Sequence, residues 1–276
     1  MKILESENYH KVTNHLMSIK INNLFARSVI EKRISGMVFV DNIENPKTFY
    51  VVHPYGMSLL FGDSKNIDFN NEFLNYSINI NRTRNKHEWM QAYSNDWDKV
   101  LSELYGNRMI KSTENKEFIE IGIVELNTRV NFKINREKYI SNKKMNLPQD
   151  CEIERTDEQI YNEMKGSVIP SNFWDNVNDF IENGIGFSLL YKNQLAATAY
   201  SAFIHDKRLE IGIETISDFQ GKGFAQLVCS ALIDYCFEND FEPVWACRLE
   251  NVGSFKLAEK LGFEPISEIP YYRLSR

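Results

Sequence analysis

The chain has 276 residues, 43% hydrophobic and 25% charged, an ordinary globular composition long enough for two domains or one large one. Its formal net charge of −6, from 32 Lys and Arg against 38 Asp and Glu, argues against a protein whose main task is to track a phosphate backbone, so no nucleic-acid partner is expected. The longest apolar run, Leu195–Ile204, falls well short of the roughly 18 residues of a membrane span and contains Thr198 and Ser201, so no membrane partner is expected either.

The N-terminus, MKILESENYH, turns polar after four residues and lacks the apolar core of a signal peptide. Apolar residues at 19, 21, 24, 25 and 29 follow a loose helical period and predict a helix through 14–33. Met37–Val40, Phe49–Val52 and Ser58–Gly62 then read as three strands, separated by turns at Asn45-Pro46 and His53-Pro54-Tyr55-Gly56. Helical patterns return around Glu72–Leu74 and Trp97–Leu104, and two strands, Phe118–Leu126 and Val130–Ile134, close a mixed α/β half without a catalytic motif. Trp89 and Trp97 lie in an aromatic-rich stretch that either anchors the core of this half or lines an acceptor cleft. The polar, lysine-rich segment Asn135–Asp150, with the solvated pair Lys143-Lys144 and Pro148, reads as a connection. It divides the chain into domains at 1–140 and 150–276.

In the second half Thr156 and Ser171 read as N-caps of two helices, the first with Gln159 completing a capping box and the second stopped at Gly184. Three meandering strands follow at Phe187–Tyr191, Leu195–Phe203 and Leu209–Thr215. A long amphipathic helix over Gly223–Phe237, a strand over Pro243–Cys247, a helix over Asn251–Leu261 and an extended segment from Phe263 to Ile269 complete the order. The four cysteines form no CxxC pair and the five histidines are scattered, so neither a structural disulfide nor a metal site is expected and the setting reads as cytoplasmic. Cys229 and Cys236 on the long helix read as core rather than as ligands, and Trp245 on the late strand reads as core, with a substrate platform as its alternative.

Chemistry concentrates in Leu209–Ala225, LEIGIETISDFQGKGFA. A strand leads into a polar turn, and Gln220-Gly221-Lys222-Gly223-Phe224-Ala225 opens a helix. The first amides of a helix have no internal partner and sit at the positive end of its dipole. Two glycines among them clear space for a pyrophosphate, although such a turn also occurs without a ligand. A P-loop does not fit, because Gly221 and Gly223 are two apart with no Lys-Ser/Thr after them; a dinucleotide fingerprint does not fit, because Gln226 stands at its last glycine.

Gln220-x-x-Gly223-x-Ala225 resembles the Q/R-x-x-G-x-G/A signature of the GNAT superfamily of N-acetyltransferases. Asn251, Ser254, Leu257 and Leu261-Gly262-Phe263 are similar to that superfamily's second signature. The stretches Ile169–Trp174, Gly184–Phe187, Glu210–Thr215, Pro243–Cys247 and Leu257–Phe263 look like a two-domain GNAT subgroup that includes zwittermicin-type resistance acetyltransferases. The resemblance implies an α/β protein: a GNAT fold, a twisted mixed sheet flanked by helices, in the C-terminal half, and before it a mixed α/β companion domain that looks like a degenerate copy, with Phe39-Val40-Asp41 and Leu60–Asp63 similar to its pattern.

The resemblance further implies acetyl-CoA as co-substrate and an amine, expected to be a small molecule, as acceptor. The amides of Gln220, Gly221, Lys222, Gly223, Phe224 and Ala225 would hold the pyrophosphate. The backbone of Ile213–Thr215 would pair with the pantetheine arm as an added strand, Asn251 would bond the arm, and Ser254 would lie near it. Transfer to an amine needs a base. Glu210 and Glu214 share a strand face; Glu210 is the first candidate and Glu214 the second, and both also read as solvent-facing acids of a half-exposed strand. A backbone N–H near Thr215 would meet the negative charge developing on the thioester oxygen. Many GNAT enzymes keep a Tyr where this chain has Ala258, which leaves the acid for the thiolate open among Ser254, Tyr271, Tyr272 and water. The alternatives are a non-catalytic acyl-CoA sensor and a protein N-acetyltransferase.

Overall fold

Residues 1–112, 120–143 and 146–276 are described in a computed structural model of the protein. The start of the strand expected at Phe118 and the expected exposure of Lys144 lie outside the described residues. The chain packs into two compact units. The first comprises residues 1–129, 248–250 and 268–276, and the second residues 130–247 and 251–267.

The first unit holds β1 (Lys2–Ile3), α1 (His10–Met17), α2 (Leu24–Ile30), β2 (Met37–Val40), β3 (Thr48–Val52), β4 (Met57–Gly62), α3 (Ile67–Ser77), β5 (Glu88–Tyr93), α4 (Asp96–Tyr105) and β6 (Met109–Lys111), with the first part of β7 (Val124–Ile134). β2, β3 and β4 form an antiparallel meander. β5 then lies parallel to β4. Buried Tyr50, Leu60, Met90, Phe73, Trp97 and Leu101 make a core between this sheet and α3 and α4. Trp97 is thus a core anchor.

The expected helix through 14–33 is two helices. Asn23 Nδ2 donates to the Leu16 carbonyl at 3.4 Å and Asn22 Oδ1 accepts from Leu24 N at 3.3 Å. These side chains compete with the helical ladder and end the first helix before the second begins. β5 went unseen in the sequence because buried Glu88 and Gln91 blur its alternation. The two strands expected at its end are one, β7.

The second unit holds the rest of β7, α5 (Arg136–Asn142), β8 (Cys151–Arg155), α6 (Glu158–Glu163), α7 (Val177–Asn183), β9 (Gly186–Tyr191), β10 (Gln194–His205), β11 (Arg208–Thr215), α8 (Phe224–Glu238), β12 (Glu242–Arg248, whose last residue packs in the first unit), α9 (Val252–Lys260) and the start of β13 (Phe263–Leu274). β8 to β11 are successively antiparallel, and β12 lies parallel to β11. α8 packs Phe224, Leu227, Val228 and Leu232 against Leu209, Ile211, Ala197 and Ala199.

Arg136–Asn142 lies in the segment read as a connection. It is a helix because Asn135 Oδ1 caps Lys138 N at 3.1 Å and buried Tyr139 donates to Asp234 Oδ1 at 2.7 Å. Two expected caps are displaced. Asp157, not Thr156, caps α6 through Ile160 N at 2.9 Å, while Thr156 is buried against Ser188. Asn176, not Ser171, caps α7 through Asp179 N at 3.0 Å. In each case the residue nearer the first helical turn has the side chain that reaches its N3 amide.

Candidate active site

β11 and β12 start together and then part. Their register covers only Arg208↔Glu242, Leu209↔Pro243 and Glu210↔Val244. Beyond that, Ile211–Thr215 keep β10 on one side and, among the described residues, have no strand on the other. A strand edge of this kind exposes unpaired N–H and C=O groups to an extended ligand. Ile213 and Thr215 lie on this edge.

The edge leads directly to the glycine turn. Gly221 and Gly223 have φ of 77° and 84°, a left-handed region that other L-residues enter only at a cost. Gly223 is the N-cap of α8 and offers no side-chain cap, whereas α5, α6, α7 and α9 of the same unit are each capped by an Asn or Asp oxygen. The first-turn amides of α8, those of Phe224 and Ala225, therefore receive no side-chain cap from the N-cap residue, and the dipole of a 15-residue helix stands behind them. Gln220, Gly221 and Lys222 are exposed. Gln220 Nε2 donates back to the Thr215 carbonyl at 3.3 Å, tying the turn to the strand end. Lys222 lies over the Phe219 ring at 4.8 Å, and Tyr191, Phe219 and Phe224 pack against one another beneath it.

Glu210, Gly212 and Glu214 share the face opposite α8. Glu210 is buried, at 6% exposure. The Glu214 Oε2 atom accepts from Ser167 N at 3.0 Å and Val168 N at 2.8 Å. That carboxylate oxygen is engaged in pinning a loop, which separates the two acids by role. Sequence reasoning missed the residue between them. Tyr200 pairs with Gly212, and a Cβ at Gly212 would stand 2.5 Å from the Tyr200 ring. A glycine inside a strand is the available signal for such a close approach. The Tyr200 ring is buried and packs edge-on to Phe173 and Phe180. Beside it β10 bulges between Ser201 and Phe203, and Trp174 Nε1 satisfies the Ser201 carbonyl at 2.8 Å.

Asn251 Oδ1 caps α9 through Ser254 N at 3.1 Å; its Nδ2 is not used by that cap. Ala258 is fully buried in the α8 core. Tyr272 is buried in the first unit's core near Tyr105, and that burial pushes its hydroxyl pKa upward. Tyr271 stacks on Trp89 in the same unit. Cys236 is buried and its thiol is pushed up to about 12 by desolvation; Cys229 and Trp245 are buried in the same core. Among the described residues no group of three or more His, Cys, Asp and Glu is placed to hold a metal ion, and no helix is long and apolar enough to cross a membrane.

A strand edge opens beside a helix whose N-cap offers no side-chain bond, and residues 14–272 match the GNAT acetyltransferase family. The chain belongs to the GNAT acetyltransferase family. It is 27% identical over 250 residues to an uncharacterized N-acetyltransferase, YdfB, of Bacillus subtilis, covering 90% of this chain and 89% of that protein. Its fold is similar to that of a GCN5-related N-acetyltransferase-like protein from Streptococcus suis (TM-score 0.70, 20% identity, 98% of this chain and 99% of the other). It is also similar in fold to a tandem GNAT protein from the clavulanic acid biosynthesis pathway (TM-score 0.62, 7% identity, 98% and 96%). As a GNAT protein the chain is an acetyltransferase by family, with the mixed α/β fold that its signatures imply.

Proposed function

We propose that this GNAT protein moves the acetyl group of acetyl-CoA to the primary amine of a small molecule. The observation that carries the reading is the coincidence of the unpaired β11 edge, Ile211–Thr215, with the glycine N-cap of α8. The edge takes an extended pantetheine arm, and the amides of Gly221–Ala225 take the pyrophosphate. Asn251 contributes its Nδ2 to the arm, next to Ser254. Residues 150–276 hold these elements, and the N-terminal half serves as a companion domain.

In the reaction the amine nitrogen attacks the thioester carbonyl carbon, the carbon–sulfur bond breaks, and the amine proton passes to a base. Glu210 is that base in our assignment, because the Glu214 oxygen is engaged by Ser167 and Val168. Tyr200, on the same strand face, returns a proton to the departing thiolate in place of the tyrosine that Ala258 replaces. The backbone N–H near Thr215 meets the charge on the carbonyl oxygen.

The test is a pair of measurements on the full chain: calorimetric titration with acetyl-CoA, and thiol release from acetyl-CoA over a panel of primary amines and basic peptides. Acetyl-CoA binding with amine-dependent thiol release supports transfer. Binding without release on any acceptor supports the acyl-CoA sensor, which the buried Ala258 favours. Release on peptides alone makes the acceptor a protein.

A further inference from the structure

The connection between α6 and α7, residues 164–176, is fastened at two points to the strands that carry the candidate site. Its first residues, Lys165, Gly166 and Ser167, are exposed. The first fastening is to β11. Ser167 N and Val168 N both donate to Glu214 Oε2, at 3.0 and 2.8 Å. A carboxylate oxygen has the lone pairs to accept two such bonds, and two successive amides turned towards one point make a small anion nest. The second fastening is to β10. Trp174 Nε1 donates to the Ser201 carbonyl at 2.8 Å, and the Phe173 ring packs edge-on to Tyr200 with centroids 5.7 Å apart. Asn172 Nδ2 donates to the Ser167 carbonyl at 2.9 Å and joins the two.

The residue types suit the first fastening closely. Gly166 has φ of 143°, a backbone conformation that glycine enters without a side-chain penalty. A Cβ there would stand 2.6 Å from the Glu214 carboxyl carbon, so the approach of turn to carboxylate requires glycine on both counts. The space left among Met164, Lys165, Thr198, Glu214 and Ile216 is about 10 Å³, room for one water at most. The turn is therefore seated on the strands. It sits on the face that Glu210, Gly212 and Glu214 share, at the end of β11 where Ile213 and Thr215 form the open edge. Exposed connections are ordinarily among the least stable parts of a fold. Here a half-buried carboxylate supplies two bonds of the stronger, charge-assisted kind.

We propose that Glu214 is a positioning residue, and that the turn it holds, residues 166–168, is one wall of the acceptor's path to the thioester. The inference rests on the proposed transfer at the β11 edge and adds how the acceptor is held there. An amine that attacks a thioester lying along Ile213–Thr215, from the face of Glu210, arrives beside this turn. Glu214 itself touches neither the amine nor the acetyl group; it acts through the backbone of Ser167 and Val168. Without the carboxylate the wall is formed only part of the time, and the acceptor concentration needed rises by the inverse of that fraction. The chemical step and the acetyl-CoA contacts stay in place, so the loss falls on the acceptor's KM.

The experiment compares the full chain with three variants. Glu214→Ala removes the acceptor oxygen. Glu214→Gln keeps one oxygen that can take both amides. Gly166→Ala breaks the same contact from the loop side, and it carries the test if Glu214→Ala does not fold. Each is followed by amide hydrogen exchange at Ser167 and Val168, by calorimetry with acetyl-CoA, and by thiol release against the concentration of the best amine in the panel. In Glu214→Ala and Gly166→Ala the two amides should exchange faster by about tenfold or more. The acceptor KM should rise by about tenfold or more, with kcat held within about threefold and acetyl-CoA affinity unchanged. Glu214→Gln should stay close to the parent in every readout. Amides released at the parent KM overturn the inference, because the turn is then no wall. Exchange unchanged in both alanine variants overturns it, because there is then no fastening. A kcat lost equally in Glu214→Gln and Glu214→Ala, with the amides of Glu214→Gln still protected, overturns it in favour of a carboxylate that acts in the reaction itself. Any of these results in a parent that turns over overturns this inference alone. A parent that releases no thiol with any acceptor overturns the transfer reading, and this inference with it.

Discussion

Replacing either glycine of the α8 turn should remove acetyl-CoA affinity by different routes, and the difference makes the test strict. Gly221 has φ of 77°, and a Cβ built there meets no protein atom within 4 Å. Gly221→Ala therefore adds no clash inside the protein; it adds left-handed strain of about 1–2 kcal/mol and one methyl group in the space assigned to the pyrophosphate. Gly223→Val adds the same kind of strain, at φ of 84°, and a branched side chain beside the first amides of α8. Each variant should stay folded and bind acetyl-CoA more than tenfold more weakly, a loss of about 1.4 kcal/mol or more. Gly106→Ala is the control. Gly106 also has a positive φ, 49°, with nothing within 4 Å of its Cβ, but it belongs to the first unit and not to the α8 turn. It should lose stability and keep its affinity. Denaturant titration measures the strain and calorimetry measures the ligand. Acetyl-CoA affinity unchanged in both turn variants, with the stability loss present, would refute the pyrophosphate site.

Glu210→Gln should lower turnover by roughly 10²–10⁴-fold at neutral pH with acetyl-CoA affinity retained, and raising the pH should restore part of the rate; a full rate with the parent pH profile would remove Glu210 from the mechanism. Tyr200→Phe should lower turnover at constant acetyl-CoA affinity, and stopped-flow thiol release unchanged from the parent would return the acid's role to water. Gly212→Ala should destabilise the second unit, because its Cβ would stand 2.5 Å from the Tyr200 ring, and thermal melting checks this. His53 is held neutral by burial, its pKa lowered to about 3, while its Nδ1 accepts from Tyr55 N at 3.1 Å. A histidine whose folded pKa is depressed contributes stability that is present above its unfolded pKa of about 6.5. That stability is lost as pH falls from there towards 3, at up to about 1.4 kcal/mol per pH unit. Urea titrations of the parent and His53→Gln between pH 7 and 4 should converge as the pH falls, and parallel curves would count against the buried neutral ring.

The glycine turn, the meander before it and the α8 helix were legible because local chemistry decides each of them. Gly221 and Gly223 meet a left-handed requirement, Lys192-Asn193 makes the β9–β10 turn with φ of 51° and 61°, and α8 has apolar residues at helical spacing. The face of the site was less legible. Glu210 and Glu214 read as equivalent by parity alone, and only the three-dimensional return of the Ser167–Val168 loop distinguishes them. Tyr200 was hidden among the apolar residues of β10, and β5 in a segment whose buried acid and amide disguised a strand. Non-local pairings of this kind leave no periodic trace. The caps show the same limit on a smaller scale: Thr156 and Asp157 are adjacent and both suit the position, and the burial of Thr156 against Ser188 decides between them.

The two units repeat one order of elements, and the repeat explains why a cofactor site is expected in only one. β2–β3–β4, α3 and parallel β5 in the first unit follow the same sequence as β9–β10–β11, α8 and parallel β12 in the second. In the second, the strands part after three paired positions and the helix opens on a glycine without a side-chain cap. In the first, β4 and β5 stay in register from Met57↔Trp89 to Phe61↔Tyr93. α3 begins with Asn66, whose Oδ1 accepts from Phe69 N at 3.0 Å and whose Nδ2 donates to Asp41 at 3.1 Å. The strand edge is filled by a strand, and the amide that a phosphate would take is filled by a side chain. An Asn at the N-cap and a continued ladder leave the fold intact while occupying the two features on which the proposed acetyl-CoA site of the second unit rests.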